Sequence, residues 1–125
     1  MGSRPLHHPP LDQITLTGIL YALSDPVRLT IVATLLQQKT CLNCSAALKQ
    51  VKVKLPKSTC SQHFQILREA GLILCERKGV ELASKLRLAE IESRFPKLLS
   101  TILKSHLQNE NNKGTVKRKK ISILR

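Results

Sequence analysis

The chain has 125 residues, a hydrophobic content of 42% and a formal net charge of +13, which suits one folded domain with a basic extension. Aromatic residues make up only 2%, so the core must be aliphatic, which favours packed helices. No apolar run approaches the about 20 residues that span a bilayer, and residues 1–10 lack the apolar region of a signal peptide. We therefore expect a cytoplasmic protein with reduced cysteines. The basic excess indicates a polyanionic partner, either nucleic acid or an anionic membrane, of which we favour nucleic acid and expect no membrane partner.

The N-terminal half predicts three helices. Residues 1–11 are rich in Pro and His and are expected to form a flexible arm. Asp12 is a plausible N-cap for a short first helix, and Ser24-Asp25-Pro26 predicts a stop and a new helix that runs to about Gln38. A loop over residues 39–43 and a small helix over residues 45–51 are expected to follow.

The C-terminal half predicts a strong helix, a hairpin and a long last helix. The strong helix begins after Pro56 and ends at Gly71, which suits a left-handed backbone. Two short strands, residues 72–77 and 82–88, are separated by Lys78-Gly79. The last helix covers residues 89–107 with a break at Pro96. We expect a domain over residues 12–107 and a disordered basic tail over residues 108–125, which either contacts phosphates or is only solvated.

The strong helix carries an uncharged polar face. Cys60, Phe64 and Leu67 lie together when residues are placed about 100° apart, and they face the core. The opposite side carries hydroxyl and amide groups flanked by cations: Ser58, Ser61, Gln62 and Gln65, with Lys57 and Arg68 at the edges. Such groups can hydrogen-bond to base edges while the cations reach phosphates, although a merely solvated face has the same composition.

Three stretches of the sequence resemble the ArsR-type winged-helix transcriptional regulators of bacteria. They are ALSDPVRLTIVATLL (residues 22–36), KSTCSQHFQILREAGLI (57–73) and ERKGVELASKLRL (76–88). The resemblance implies a mainly α, α+β winged-helix fold, ordered helix, helix, helix, recognition helix, β-hairpin wing and C-terminal helix. It also implies a homodimer that binds double-stranded operator DNA. The implied DNA contacts are Lys57, Ser58, Thr59, Ser61, Gln62 and His63, with Arg77 and Lys78 on the wing.

His63 has two interpretations, because it lies at the border of the core face. It either contacts DNA or is a packed histidine with its hydrogen bonds satisfied inside the protein.

The resemblance assigns the dimer interface to the first and last helices. The apolar stripe of the last helix is otherwise ordinary core, but so small a domain has little else to cover it, so we favour a dimer interface. A dimer would hold two recognition helices about 34 Å apart and predicts an inverted-repeat site. The interface residues predicted in this way are Leu16, Ile19, Leu20, Phe95, Leu98, Leu99, Ile102 and Leu103.

The cysteines allow three interpretations. Cys41 and Cys44 have a C-x-x-C spacing that supplies two zinc ligands, but the sequence offers no clear third and fourth. They are therefore incidental, a thiol-redox switch, or part of a metal-responsive site. Cys60 is expected to be a small buried hydrophobe. We predict no metal site and no cofactor, and the sequence identifies neither a small-molecule nor a metal inducer.

An enzyme is not expected, because Ser58 and His63 diverge around the helix axis and no carboxylate lies near enough to orient His63. The sequence predicts instead a homodimeric, sequence-specific DNA-binding repressor. The alternatives are a redox- or metal-responsive repressor that uses Cys41 and Cys44, and a winged-helix module that binds another protein.

Overall fold

The computed structural model describes residues 6–38, 42–43, 54–79 and 81–118, and this part of the chain contains five α-helices and three strands. A 3-10 turn, Leu11–Gln13, precedes the first helix. The elements in chain order are α1 (Leu16–Leu23), α2 (Pro26–Gln38), β1 (Leu42–Asn43), α3 (Lys57–Glu69), β2 (Ile73–Lys78), β3 (Glu81–Leu86), α4 (Leu88–Arg94) and α5 (Leu98–Arg118).

The first two helices are set by side-chain caps. The hydroxyl of Thr15 accepts a hydrogen bond from the backbone N–H of Gly18 at 3.0 Å, so α1 begins after Thr15. The predicted start at Asp12 is wrong, because Asp12 lies in the 3-10 turn. The predicted second start is confirmed: a carboxylate oxygen of Asp25 accepts from the N–H groups of Val27 and Arg28 at 2.9 and 3.0 Å.

The core lies between α2, α3 and α5. Phe64 is its largest fully buried side chain, and α2 contacts α1, α3, β3 and α5. Gly71 ends α3 with a φ of 87°, as predicted, and a Cβ there would lie 2.5 Å from the side chain of Ile14. The end of α3 is thereby packed directly onto the segment that leads into α1.

The three strands form an antiparallel sheet in the order β1-β3-β2. The β2–β3 hairpin pairs Ile73 with Leu86 and Lys78 with Glu81, and it turns at Gly79, where φ is 66°. The winged-helix fold class is therefore confirmed. The predicted loop over residues 39–43 missed β1, whose Leu42 pairs with Ser84. The predicted helix over residues 45–51 lies outside the described residues.

The predicted break at Pro96 is confirmed. It separates α4 from α5, and Lys97 adopts a φ of 63° there. The carboxylate of Glu92 accepts hydrogen bonds from the N–H of Lys97 and from the N–H and hydroxyl of Ser100, so it caps the first turn of α5. The predicted end at Leu107 is too early. Because α5 continues to Arg118, the disorder predicted from residue 108 is wrong as far as residue 118.

The N-terminal arm is anchored, which corrects the prediction of a flexible segment over residues 1–11 for its described part. A ring nitrogen of His8 accepts a hydrogen bond from the backbone N–H of Cys75 at 2.9 Å. Arg87 donates to the carbonyl of Pro9 at 2.9 Å, and Arg94 donates to that of Leu11. Residues 6–11 therefore lie against β2 and α4.

Among the described residues, no single helix is long and apolar enough to cross a bilayer. Helices α1 and α2 meet that criterion only as a pair, with a bend of 103° between them.

Candidate nucleic-acid interface

Helix α3 presents one buried and one open face. Cys60, Phe64 and Leu67 are buried, as the sequence predicts. The opposite side of the helix is exposed and contains no ionised group on its central positions: Ser58, Ser61, Gln62 and Gln65. A surface of short hydroxyls and amides can both donate and accept hydrogen bonds, which matches the mixed pattern of base edges in a major groove.

The N-terminal turn of α3 adds positive potential to one end of this face. The side chain of Pro56 makes no cap hydrogen bond, and the first N–H groups of a helix have no intrahelical acceptor. Lys54 and Lys57 are exposed beside these groups, and Thr59 is half-buried. Free N–H groups, the helix dipole and two ammonium groups together suit a phosphate.

Two of the predicted contact residues, Gln65 and Arg68, interact with other groups of the protein or lie toward the side of the face. The side-chain amide of Gln65 donates to the carboxylate of Glu69 at 3.3 Å. Arg68 is half-buried, and its Nε atom has no hydrogen-bond partner among the residues that the structure describes. Burial lowers the pKa of His8, and the nearby charges of Arg68 and Arg87 lower it further. Arg68 therefore lies on the side of α3 near the N-terminal arm, away from the centre of the open face.

His63 is held by a residue that the sequence analysis missed. The guanidinium of Arg28 donates to His63 Nδ1 at 3.3 Å, to the carbonyl of Ala22 at 2.7 Å and to that of Tyr21 at 3.4 Å. It also lies 5.4 Å from the centre of the Tyr21 ring. The sequence contains a signal that could have identified Arg28. It is three residues before Ile31 on the apolar face of α2, and a charge buried there is unfavourable unless it is hydrogen-bonded.

The hairpin carries the two wing residues predicted to bind DNA. Arg77 is exposed on β2, and the backbone places Lys78 last in that strand, immediately before the turn at Gly79. The wing therefore offers a cation close to its tip.

The comparisons with known proteins agree with this geometry. A family model described as a helix-turn-helix domain matches residues 23–76, which include α2 and α3. The chain is 35% identical over 91 residues to YceK of Bacillus subtilis, named an uncharacterized HTH-type transcriptional regulator, covering 73% of this chain and 88% of YceK. The chain belongs to the helix-turn-helix transcriptional regulators.

Solved structures give the same fold for this regulator. The transcriptional repressor BigR from Xylella fastidiosa superposes with a TM-score of 0.54 and 26% identity, covering 70% of this chain and 81% of BigR. An ArsR family transcriptional regulator superposes with a TM-score of 0.54 and 21% identity, covering 69% and 90%. These structures confirm the fold that the resemblance to ArsR-type regulators implies, and the family match confirms a DNA-binding role in transcription regulation.

The regulator exposes an apolar surface on the first helix. Leu16, Leu20 and Tyr21 of α1 have exposed fractions of 44%, 47% and 62%. A groove of about 490 Å³ continues from Leu16 to the start of α5. Its lining is mainly apolar, with two cations at the rim: Leu16, Arg94, Phe95, Pro96, Lys97, Leu98, Thr101 and Ile102.

Three residues predicted for the dimer interface belong instead to the core of the protomer. Ile19, Leu99 and Leu103 are each 0% exposed. A side chain enclosed within one protomer has no surface left for a second, so the prediction is wrong for these three. The rest of the predicted set lies at the exposed α1 surface or the groove.

The cysteines of the regulator that the structure describes are both buried. Cys60 is 5% exposed and fills the core, as predicted. The thiol of Cys75 lies 3.3 Å from the hydroxyl of Ser84. In residues 6–38, 42–43, 54–79 and 81–118, no three His, Cys, Asp or Glu side chains are grouped to hold a metal ion. Cys41 and Cys44 lie outside those ranges, so the redox and metal hypotheses stay predictions.

Proposed function

We infer that the regulator is a cytoplasmic homodimeric repressor that binds an inverted-repeat operator in double-stranded DNA. Helix α3 would enter the major groove, and the β2–β3 hairpin would lie against the flanking backbone. The observation that carries this proposal is the open face of α3. The side chains at its centre are short, polar and uncharged, and cations lie around its edge. No cofactor is needed for such binding.

The centre of that face suits base edges. Ser58, Ser61 and Gln62 are exposed, and neither Ser61 nor Gln62 takes part in a side-chain hydrogen bond within the described residues. A glutamine amide can form a paired contact with adenine, and a serine hydroxyl can donate or accept at any base. The groove is about 12 Å wide, so a helix with such short side chains can approach its floor.

The rim of that face suits phosphates. Lys57 and the N-terminal N–H groups of α3 lie at one end, and Arg77 lies on the hairpin. Contacts of this kind fix the position of the protein on the duplex and make affinity depend on salt. The net charge of +13 supports the same interaction at longer range.

The apolar surface of α1 and the groove beside it support a homodimer. Leu16, Leu20 and Tyr21 are large side chains exposed on one short helix, and a contiguous apolar surface of this kind is typical of an interface. A two-fold dimer brings the same surface of each protomer together. It would also present two copies of α3, which predicts half-sites about 34 Å apart.

The name of one relative supports repression. BigR, which shares the fold and is 26% identical to this chain over the aligned part, is described as a transcriptional repressor. A dimer bound to an operator excludes other proteins from the same DNA, which is the simplest physical basis of repression.

Selection of bound DNA from random duplexes tests the proposal. We expect an inverted repeat whose half-sites are one helical turn apart, bound by two protomers. Lys57→Ala should weaken binding to selected and random duplexes alike and reduce the slope of log affinity against log salt by about 1. Gln37→Ala, on an exposed position of α2, is the control. Recovery of no enriched sequence, with equal binding to heparin, would contradict the proposal.

A further inference from the structure

We propose that Arg28 is a positioning residue for DNA binding, which holds His63 so that its Nε2–H is presented as a hydrogen-bond donor to the operator. The inference rests on the proposed function, because it assigns a role to one residue at the border of the α3 face. It goes beyond that function by naming a buried residue that contacts no DNA but sets the chemistry of one that does.

Arg28 is itself fixed by the end of the first helix. Its Nε donates to the carbonyl of Ala22 and a terminal nitrogen donates to that of Tyr21, both in the last turn of α1. The last carbonyls of a helix carry the negative end of its dipole, so a guanidinium is favoured there. The Tyr21 carbonyl also accepts from the N–H and the hydroxyl of Ser24. Arg28 is only 7% exposed. With two carbonyl bonds and the Tyr21 ring beneath it, the guanidinium has little freedom to turn.

The contact with Arg28 decides how the histidine ring is used. A guanidinium only donates, so His63 Nδ1 must accept the hydrogen bond that spans 3.3 Å. The proton of the neutral ring is then on Nε2. Because the two ring nitrogens point to different sides, Nε2–H is directed away from the buried guanidinium. His63 is half-buried and follows the exposed Gln62, so we place this donor at the border of the open face of α3.

The pair also ties α3 to the rest of the domain. Arg28 is on α2, its carbonyl acceptors are on α1, and His63 is in the middle of α3. One guanidinium therefore joins three helices at a point beside the proposed DNA surface. Both interpretations of His63 from the sequence are combined in this arrangement: Nδ1 is bonded to Arg28, while Nε2 has no hydrogen-bond partner among the described residues and is assigned to DNA.

A double-mutant cycle on operator affinity tests the inference. His63→Ala and Arg28→Lys are each expected to weaken binding to the selected operator about 10-fold. The double variant should also be weakened about 10-fold, since both changes remove the same contact. Lysine keeps the charge and can still donate to a carbonyl of α1, but it cannot also reach Nδ1. A double variant weakened about 100-fold would show that the two residues act independently and would overturn the inference.

The His63→Asn variant distinguishes anchoring from DNA contact. The amide oxygen of asparagine can accept from Arg28 in place of Nδ1. Its NH2 group then lies near the position of the ring carbon Cδ2, so the variant has no donor as far out as Nε2–H. We expect unfolding behaviour close to that of the native protein, with operator affinity reduced about as much as in His63→Ala. Native operator affinity in His63→Asn would mean that the histidine only anchors α3, and the donor role would be lost.

A spectroscopic readout needs no DNA. Long-range proton–nitrogen spectra of the native protein should show His63 with its proton on Nε2 and an accepting Nδ1. In Arg28→Lys the Nδ1 signal should move toward that of a free imidazole, whereas Thr30→Ala, on the same helix, should leave it unchanged. A protonated Nδ1 in the native protein would refute the inference. If the native protein selects no operator at all, the proposed function fails, while these spectra still decide the Arg28–His63 contact.

Discussion

Two surfaces of the protomer are left open, and they differ in kind. The α1 surface consists of Leu16, Leu20 and Tyr21, which are large and apolar. The α3 surface, built around Ser61 and Gln62, is short and polar. Burial of apolar area is favourable with any matching surface, whereas hydrogen bonds require defined partners. On the proposed function, the first surface would serve assembly and the second would discriminate between DNA sequences.

The difference has a mutational signature. A change on the α1 surface should alter the number of protomers on the DNA and weaken all sites that need two of them. A change on the α3 surface should alter which sequence is preferred and leave the number unchanged. The first two predictions below test the two sides of that distinction, and the others test the stability of the protomer that carries both surfaces.

The largest effect is expected from Leu20→Glu. Leu20 is 47% exposed, so the protomer should still fold. A leucine that becomes buried contributes about 1.5–3 kcal/mol, and a two-fold interface contains two copies, so dimerisation should weaken by about 3–6 kcal/mol. Sedimentation should then show a monomer at micromolar concentration, and operator binding should fall sharply. Gln37→Glu adds the same charge at an exposed site of α2 and is the control. Equal dimerisation constants for Leu20→Glu and Gln37→Glu would show that α1 does not contribute to the interface.

A smaller effect, confined to sequence preference, is expected from Gln62→Ala. Loss of a base contact should weaken binding to the selected operator by about 1–3 kcal/mol while leaving random DNA unchanged. Gln65→Ala is the matched control, because the Gln65 amide already donates to Glu69 within the protein. Titrations of both variants against both duplexes measure the difference. Equal losses on the two duplexes would assign Gln62 to nonspecific binding.

The cap that holds the start of α5, on one side of the apolar groove, can be tested with Glu92→Ala. Burial alone would raise the pKa of Glu92, but hydrogen bonds from Ser100 and from the N–H groups of Lys97 and Leu99 outweigh it and lower the pKa. Removing this cap should reduce the free energy of unfolding by about 0.5–2 kcal/mol near neutral pH.

The Glu92 contribution should depend on pH in a defined direction. Because the folded protein holds the pKa below its ordinary value of 4.5, the stabilisation is present above that pH and is lost as pH falls through the lowered value. Urea titrations at several pH values should therefore show the variant approaching the native protein in acid. Ser93→Ala, one residue away and exposed, should not change with pH. A constant difference at all pH values would exclude an ionised cap.

The smallest effect is expected at His8. Its pKa is lowered by burial first and then by Arg68 and Arg87. The folded pKa is below the ordinary 6.5, so the unfolded chain binds more protons between the two values. The free energy of unfolding should therefore fall as pH is lowered from about 6.5, by up to the about 0.5–1.5 kcal/mol of one hydrogen bond. His8→Gln should remove this dependence, and His7→Gln, at an exposed position, should keep it. The reverse result would place the titrating group at His7.

The elements of the fold that the sequence predicted have strong local signals. Asp25 before a proline, Pro56 before α3, a glycine after it and Pro96 inside the last apolar run each act within one helical turn. Strand β1 has only two residues, too few to show alternation, so it was missed. The length of α5 was also missed, because residues 108–118 have no apolar stripe.

The sequence predicted which residues share the open face of α3, but not which of them form hydrogen bonds inside the protein. Helical spacing separates the buried Phe64 from the exposed Gln62 without any structure. It does not tell which polar residues find partners inside the protein, because those partners are remote in sequence: Arg28 and His63 are 35 residues apart. The same limit explains Leu99, which spacing assigns to an apolar stripe without telling whether the protomer or a second copy covers it.

The anchored arm has a consequence for the behaviour of the protein at high concentration. Strand β2 is at the margin of the sheet, and the N–H of Cys75 faces outward to meet His8. The unpaired N–H and C=O groups of an exposed edge strand can hydrogen-bond to a strand of another chain. Because residues 6–11 occupy that edge, we expect them to limit self-association through β2, and a protein truncated before Asp12 should precipitate more readily.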